Sequence, residues 1–374
     1  MSIKSDEKTY DALIVGAGPA GSTAAAWLAA QKFSVCLIDA AKFPRRRDCS
    51  GWISAKAGPL LDAMGLPIAD VAKCAIKTVT FHNADMSKSA RPALAGPVGY
   101  LVDRDAFDHQ VAEMARKRGA VFLDDRRVAR VQLGEQTVTL ELSDGQTVRG
   151  KFLVLAAGKD SALVKRLGLP IDVLPPNAWT AYLTARDKSY RGDPSVSVVL
   201  GIDRRDGFAT VVQAGDHLSV NVHSFSEKRE VVTHLVTLCR NLSTAGLVGV
   251  DLTREASAAT ASAIPTAAAL SMETHVAKRT LIIGDAGGFI AAASAEGIYP
   301  AMWSARIAAE IIEKAARHKS PQDVLMRFNT EWRSEMADYL RAPNTDTQYI
   351  LPLVFTNQPM ADRMAAAFFA GENI

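Results

Sequence analysis

The sequence predicts a mixed α/β fold: a parallel β-α-β core, interrupted by an antiparallel-sheet domain and followed by a helical C-terminal segment. Three observations predict it. Residues 10–38 run through an apolar stretch, a glycine cluster, an Ala-rich stretch and a second apolar stretch, the length of one β-α-β unit. Residues 179–224 fall into short strand-like runs punctuated by Gly and Asp, as in an antiparallel sheet. A further apolar run with its own glycine cluster returns only at 279–298, so the parallel core is completed after the antiparallel part.

In chain order, YDALIV at 10–15 is a buried parallel strand, a short apolar run met at once by glycine. Gly16-Ala17-Gly18-Pro19-Ala20-Gly21 opens a helix to about Ala30, and SVCLI at 34–38 is a strand ending at Asp39. Residues 56–65 and 105–118 read as helices, the second with Phe107, Val111 and Met114 on one face. VARVQL, TVTLEL and TVRGKFLVLAAG form a meander that returns to a main strand at 152–156. Strands within 179–224 precede a helix at about 227–243, RTLII at 279–283 is the last buried strand, and 296–316 is a long Ala-rich helix. The core domain then takes 1–76, 98–166 and 274–318, the inserted domain 77–97 and 167–273, and the helical segment 319–374.

The 374 residues carry 43 Lys and Arg against 40 Asp and Glu, a formal charge of +3. With 48% apolar and 22% charged residues, disorder, collagen and small disulfide scaffolds are excluded. The balance is too even for a nucleic-acid protein, which needs a concentrated basic face, and the run Arg45-Arg46-Arg47 is too short to supply one. Cys36, Cys49, Cys74 and Cys239 have no C-x-x-C spacing, so neither a metal nor a dithiol site is expected. The first ten residues are polar and no run reaches the ~18 apolar residues of a spanning helix. Cytoplasmic residence is the simplest placement, with contact at a membrane surface left open. The tail places YILPLVF at 349–355 and then Met360, Met364, Phe368 and Phe369 at spaced positions. It reads first as a packed helix over a pocket or a dimer contact, and second as a weak membrane-surface contact; the oligomeric state stays open.

The first glycine cluster has a mechanical reading. Gly16 permits the tight turn, Gly18 lets backbone approach a pyrophosphate, and Gly21 lets helix pack on strand. The helix N-terminus offers free N–H groups to the phosphates. Asp39, 18 residues after Gly21, is placed to accept from an adenosine ribose diol. That motif alone does not separate NAD from FAD. The second cluster, RTLIIGDAGGFIAAASAEGI at 279–298, does. Asp285 can accept from a ribityl hydroxyl, and a helix starting at Gly297 can face the electron-rich pyrimidine side of a flavin.

VGAGPAGS at 15–22, Cys49-Ser50-Gly51, VDRDAFD at 102–108, LAAGKDSALVKRLG at 155–168 and GDAGG…EGI at 284–298 together carry a resemblance. Over about residues 8–315 the chain resembles the FAD-dependent geranylgeranyl reductase-like family, within the p-hydroxybenzoate-hydroxylase-type flavoprotein superfamily. The resemblance implies a Rossmann-like FAD-binding domain with an inserted antiparallel-sheet substrate domain. It implies that Ala20 and Asp39 contact the adenosine half, Arg104 the pyrophosphate and ribityl chain, and Val128 the adenine through its backbone. Asp285, Gly297 and Ile298 would hold the ribityl and isoalloxazine, and the loop Asp48, Cys49, Ser50 would lie beside the flavin, with Trp52 walling the substrate pocket. The chain departs from the family pattern in two places. Ala-Ala-Ala at 291–293 replaces a loop that usually has proline, which predicts a less rigid, more open flavin face. Gly207-Phe208 and the residues after it replace a Gly-Tyr-x-Trp…Pro run, so Phe208 takes a pocket-lining place and a long isoprenoid substrate is put in doubt.

By that resemblance the chain is an FAD-dependent oxidoreductase. The first reading is reduction of a carbon–carbon double bond in a small hydrophobic, isoprenoid-like or other secondary metabolite. Reduced flavin would supply hydride, a side chain or water the proton, and NAD(P)H or another reductant the electrons. No acid is assigned; His82, His217, His223 and His234 each read more simply as satisfied surface or core residues. The alternative is a monooxygenase acting through a C4a-hydroperoxyflavin, whose relatives carry an Asp-Gly pair where this chain has Ala157-Gly158-Lys159-Asp160. An electron-transfer flavoprotein and a flavin halogenase rank lower. The halogenase Trp-x-Trp-x-Ile-Pro stretch is absent, and Lys56, near the ring-facing loop, reads as a solvated helix lysine.

Overall fold

Side chains of the strand Thr9–Val15 point alternately to two faces, and both faces are buried. Leu13 and Val15 pack with Cys36, Ile38, Leu153 and Leu155 on one side. Ala12 and Ile14 pack with Leu37, Phe152 and Val154 on the other. The computed structural model describes residues 8–47, 49–159, 162–166, 168–203, 207–342, 345 and 347–374. In it this strand is the centre of a sheet ordered Val276–Ala277, Thr280–Ile282, Thr147–Leu155, Thr9–Val15, Val35–Ile38, Val121–Leu123. All neighbours but the first pair run parallel. The fold is thus the Rossmann-like mixed α/β arrangement that the sequence predicts.

Helices Pro19–Ala30, Arg104–Lys117 and Ile298–Ala316 cover one face. The hairpin Val128–Leu133 and Val138–Leu142 pairs onto Thr147–Leu155, and its apolar side chains join the core of the other face. The helix expected at 56–65 is the shorter Ala57–Ala63. The one expected at 105–118 starts at Arg104, because the Asp103 side chain accepts from the N–H groups of Asp105 and Ala106 and fixes the boundary there.

A second sheet is ordered Ser262–Ile264, Ala178–Arg186, His217–Ser224, Phe208–Ala214, Ser195–Leu200, Thr78–Asn83, Ser89–Ala90. It is not wholly antiparallel as expected. Thr78–Asn83 follows directly on Ala72–Ile76, a strand of another sheet, rather than through a hairpin, and it runs parallel to its neighbour, Ser195 opposite Thr78 and Leu200 opposite Asn83. One face packs on helix Lys228–Thr244 through Ala181, Leu183, Val220 and Val222. A third, antiparallel sheet of Trp52–Ser54, Gly99–Val102 and Ala72–Ile76 joins the two larger units. These strands are three to five residues long, and no periodic run in the sequence announces them.

The tail is helical, as expected: Pro321–Met326, Phe328–Leu340, Thr347–Val354 and Gln358–Ala365. Trp332 is fully buried against Phe289 and His275 of the core domain. Ile350, Val354, Met364 and Phe368 pack against Val79, Phe81, Val196 and Val198 of the second sheet. Among the described residues no helix is long and apolar enough to cross a membrane. All four cysteines are free.

The His223 ring lies between Phe208 and Phe225, at centroid distances of 5.0 and 5.2 Å, and both its nitrogens are buried without a hydrogen-bond partner. Burial pushes its pKa down to about 4. An unfolded histidine titrates near ~6.5. The unfolded state therefore binds the extra proton first, and the stability present above that value is lost as pH falls towards about 4. His223→Phe is expected to reduce the stability lost between pH ~7.5 and ~5 by about 2 kcal/mol. Urea denaturation at the two pH values measures it; an unchanged loss would remove His223 from the acid response.

Candidate active site

The two glycine clusters meet at one cleft of about 590 Å³. Gly16 has φ +101°, and a Cβ there would fall 2.2 Å from the carbonyl oxygen of Ala156. A Cβ on Gly21 would fall 1.8 Å from the oxygen of Gly16, so only hydrogen fits at the crossing of strand and helix. Gly18, Pro19 and Ala20, the first residues of the helix, line the cleft, and Gly21 supports them from behind. Asp39 also lines it. Its two oxygens accept from Ala17 N–H at 2.7 Å and Ala41 N–H at 2.8 Å, which holds the glycine turn against the end of the second strand.

Beside this turn lies a buried charge cluster. The Arg104 guanidinium donates to the Asp108 carboxylate through Nη2 at 3.0 Å and to the Cys49 sulfur through Nη1 at 3.0 Å. The Asp108 side chain has no exposure. These partners outweigh burial and hold the Arg104 pKa above its ordinary value. Arg45 Nη2 is 3.5 Å from the second Asp108 oxygen, and Arg45 Nε is 4.0 Å from Asp39. Arg45 Nε and Asp108 Oδ2 are buried with no hydrogen-bond partner. The unsatisfied Arg45 Nε–H, a buried donor beside the free N–H groups of the helix start at Gly18, fits the diphosphate of a bound dinucleotide.

The second cluster forms the opposite wall, with Asp285, Glu296, Gly297, Ile298 and Ala301 in the lining. Burial raises the Asp285 pKa, opposed by Arg47, Arg104 and Lys159. Gly297 precedes the helix Ile298–Ala316, whose N–H groups open on the cleft. The Ala-Ala-Ala loop expected to be less rigid is tied at two points: Ala291 N–H donates to Glu296 O at 2.9 Å and Ala292 N–H to Leu340 O at 3.0 Å.

Beyond Gly297 the cleft enters the second sheet. Trp52, Val196, Val212, Ile290, Phe368 and Phe369 give an apolar surface; Thr180, Tyr182, Thr210 and Asn221 give a polar one. Thr180 Oγ1 donates to Asn221 Oδ1 at 2.6 Å, which fixes the orientation of the Asn221 amide in the lining. The loop before Trp52 is pinned to this sheet where Ser219 Oγ donates to Ser50 O at 3.3 Å.

The structure therefore brings Gly16, Gly18, Ala20, Asp39, Cys49, Ser50, Trp52, Arg104, Asp285, Gly297 and Ile298 to one cleft. Asp48 lies outside the described residues. The Val128 side chain is buried in the meander core, the contact expected of it being through its backbone, and the preceding Arg127 lines the cleft. Phe208 is absent from the lining. Its ring packs on His223 and edge-on against Phe368, and Phe368 presents the cleft surface instead. None of His82, His217, His223 and His234 reaches the cleft. Lys56 is exposed with Nζ 5.5 Å from the Tyr339 ring centre. Sequence reasoning missed Arg45, Asp108 and Glu296, although each stands inside a motif already singled out. It also missed Thr180, Tyr182 and Asn221, for which strand alternation was the available signal.

The family described as FAD binding domain matches residues 9–341. An uncharacterized protein of Methanosarcina barkeri is 26% identical over 326 residues, 83% of this chain and 76% of that one. The menaquinone reductase of Mycobacterium tuberculosis is 25% identical over 327 residues, 82% of this chain and 77% of that one. The fold is similar to that of a geranylgeranyl bacteriochlorophyll reductase-like protein from Thermoplasma acidophilum, with a TM-score of 0.73, 18% identity, and 97% and 89% of the two chains covered.

Two substitutions test this geometry. Arg104→Leu leaves the buried Asp108 carboxylate without its main partner and is expected to cost about 3–5 kcal/mol in denaturant unfolding, part of which Asp108→Asn in the same chain restores. A cost within about 0.5 kcal/mol would contradict the cluster. Asp39→Ala frees the Ala17 and Ala41 amides and is expected to weaken binding of the dinucleotide about tenfold or more, measured by titrating the cofactor-free protein; unchanged affinity contradicts it.

Proposed function

The chain belongs to the FAD binding domain family and is an FAD-dependent oxidoreductase; from that premise we propose that it reduces a carbon–carbon double bond in a small hydrophobic molecule with a polar end. One observation carries the reading. Past the helix start at Gly297 the cleft is lined by the apolar Trp52, Val196, Val212, Ile290, Phe368 and Phe369 and, beside them, by the polar Thr180, Tyr182, Thr210 and Asn221 of the second sheet. An apolar body fits the first surface, and a hydroxyl or carbonyl fits the second. The names of the M. tuberculosis relative and the T. acidophilum protein, both reductases or reductase-like, support the direction of the chemistry.

Bound FAD supplies two-electron reduction. The chain's own residues would do the rest. Gly18, Pro19 and Ala20, with Arg45 and Arg104, hold the diphosphate; Asp39 orients the adenosine ribose; Asp285 and the N–H groups after Gly297 meet the flavin half. Phe368 and Phe369 keep water from the apolar floor. A second cavity of about 700 Å³ shares the wall of Arg46, Arg47, Cys49 and Ser50, and also carries Lys73, Arg186 and His217. Lys73 and Arg186 are paired there with Asp103 and Asp216, so the charge of this second cavity is mixed.

The test uses the FAD-loaded protein, reduced anaerobically and mixed with a panel of apolar alkenes, quinones and prenylated phenols. Reoxidation by an alkene without oxygen, with saturated product in equal amount, is expected. Reoxidation that requires oxygen and places an oxygen atom from it in the product would overturn the proposal in favour of a monooxygenase.

A further inference from the structure

We infer that Glu296 is the acid of this cleft, the side chain that protonates the second carbon of the double bond, and that Tyr339 of the C-terminal segment sets when it does so. The inference rests on the reductase reading above.

Glu296 stands one residue before Gly297 and lines the cleft, yet only 5% of the residue is exposed. Its Oε1 accepts from Ser54 N–H at 3.0 Å, and its Oε2 accepts from the Tyr339 hydroxyl. Two distant pieces of chain thus clamp one carboxyl at the wall where the helix after Gly297 begins. A carboxylate at a helix start usually sits in solvent and gains from the helix dipole. This one has been taken inside, between Ser54 and Tyr339 at the edge of the cleft, where a charge is costly.

Its surroundings explain how it is poised. Burial raises its pKa to about 7, while the bonds from Tyr339, Ser54 and the Tyr299 backbone, and the charge of Lys56, pull the other way. Lys56 comes from the segment after Trp52–Ser54, Tyr339 from the tail helix, Tyr299 from the helix that Glu296 precedes, and Asp285 lies next to Gly297. Arg306 and Glu335 act on Tyr299 from behind. Both tyrosines are held well above their ordinary pKa by burial and by Glu296, so they remain hydrogen-bond donors and the carboxyl is the group that titrates. An acid is most effective when both of its forms are accessible at working pH.

The step balances. One alkene carbon receives a hydrogen with two electrons from the bound reduced cofactor, which is oxidised. The other carbon forms a C–H bond to the Glu296 proton as the O–H bond breaks, and that bond's electron pair stays on the carboxylate. Solvent at the Lys56 side returns the proton between turnovers.

Infrared titration of the oxidised, FAD-loaded protein is expected to show a protonated-carboxyl band that disappears around neutral pH and is absent in Glu296→Gln. In Tyr339→Phe the band should persist to higher pH, because the lost hydroxyl favoured the carboxylate. Anaerobic reoxidation by the reactive alkene should slow about 10²- to 10⁴-fold in Glu296→Gln and lose its pH dependence. In Tyr339→Phe its midpoint should move with the band. Wild-type rate and pH profile in Glu296→Gln, or no titrating band in the wild type, would overturn the assignment while leaving the reductase reading intact. If no alkene reoxidises the wild-type flavin although the band titrates, the reductase reading fails and takes the alkene acid with it. Should Glu296→Gln not retain FAD, Tyr339→Phe decides: a displaced midpoint is expected and an undisplaced one overturns the proposal.

Discussion

Helices Pro19–Ala30 and Ile298–Ala316 both begin at the same cleft, and they can do so only because backbone touches backbone there. Each brings a partial positive end worth roughly half a charge. Arg45, Arg47 and Arg104 line the same space. So much positive potential in one place is unfavourable unless an anion compensates it. Asp108 and Asp39 neutralise part of it, and the orphaned Arg45 Nε shows that the compensation is incomplete within the protein. A diphosphate completes it. The near-balanced charge of the whole chain is consistent with this, since one strong electrostatic demand is met locally and nothing else on the chain needs a large field.

What the sequence could reveal follows from the range of the interactions. The glycine turn, the strand before it and Asp39 are local, and each depends on neighbours within about thirty residues; they were legible as a motif with a mechanism. The second cluster was legible for the same reason. The substrate wall was not. Thr180, Tyr182, Thr210 and Asn221 come together only because three antiparallel strands align in register, Thr180 opposite His223 and Thr210 opposite Asn221. Alternation shows that such residues share a face but not that the face is a cleft.

Phe208 illustrates the same limit in reverse. Its place in a departed family pattern pointed to the pocket, but the residue that reaches the cleft surface is Phe368, about 160 positions later, with Phe208 directly behind it. Arg127 immediately precedes the strand Val128–Leu133, whose first side chain is buried. The meander core takes the valine and the cleft takes the arginine. Neither outcome follows from composition, because both depend on which side of a strand another segment covers.

The tail shows why the domains cannot be read as separate functional parts. Phe328–Leu340 docks on the parallel-sheet core through Trp332, while Phe368 and Phe369 close the apolar part of the cleft on the second sheet. Between these two anchor points Tyr339 reaches Glu296, and Leu340 accepts from the loop at Ala292. The same segment therefore walls the substrate side and hydrogen-bonds the cofactor side. A change in how the tail packs would alter the apolar floor and the carboxyl's hydrogen bonding together, since Tyr339 packs directly against Gly371, two residues after Phe369. That coupling needs no moving part: the C-terminal end of Phe328–Leu340 makes polar contacts to the second glycine cluster and touches the turn that ends the segment carrying Phe368 and Phe369.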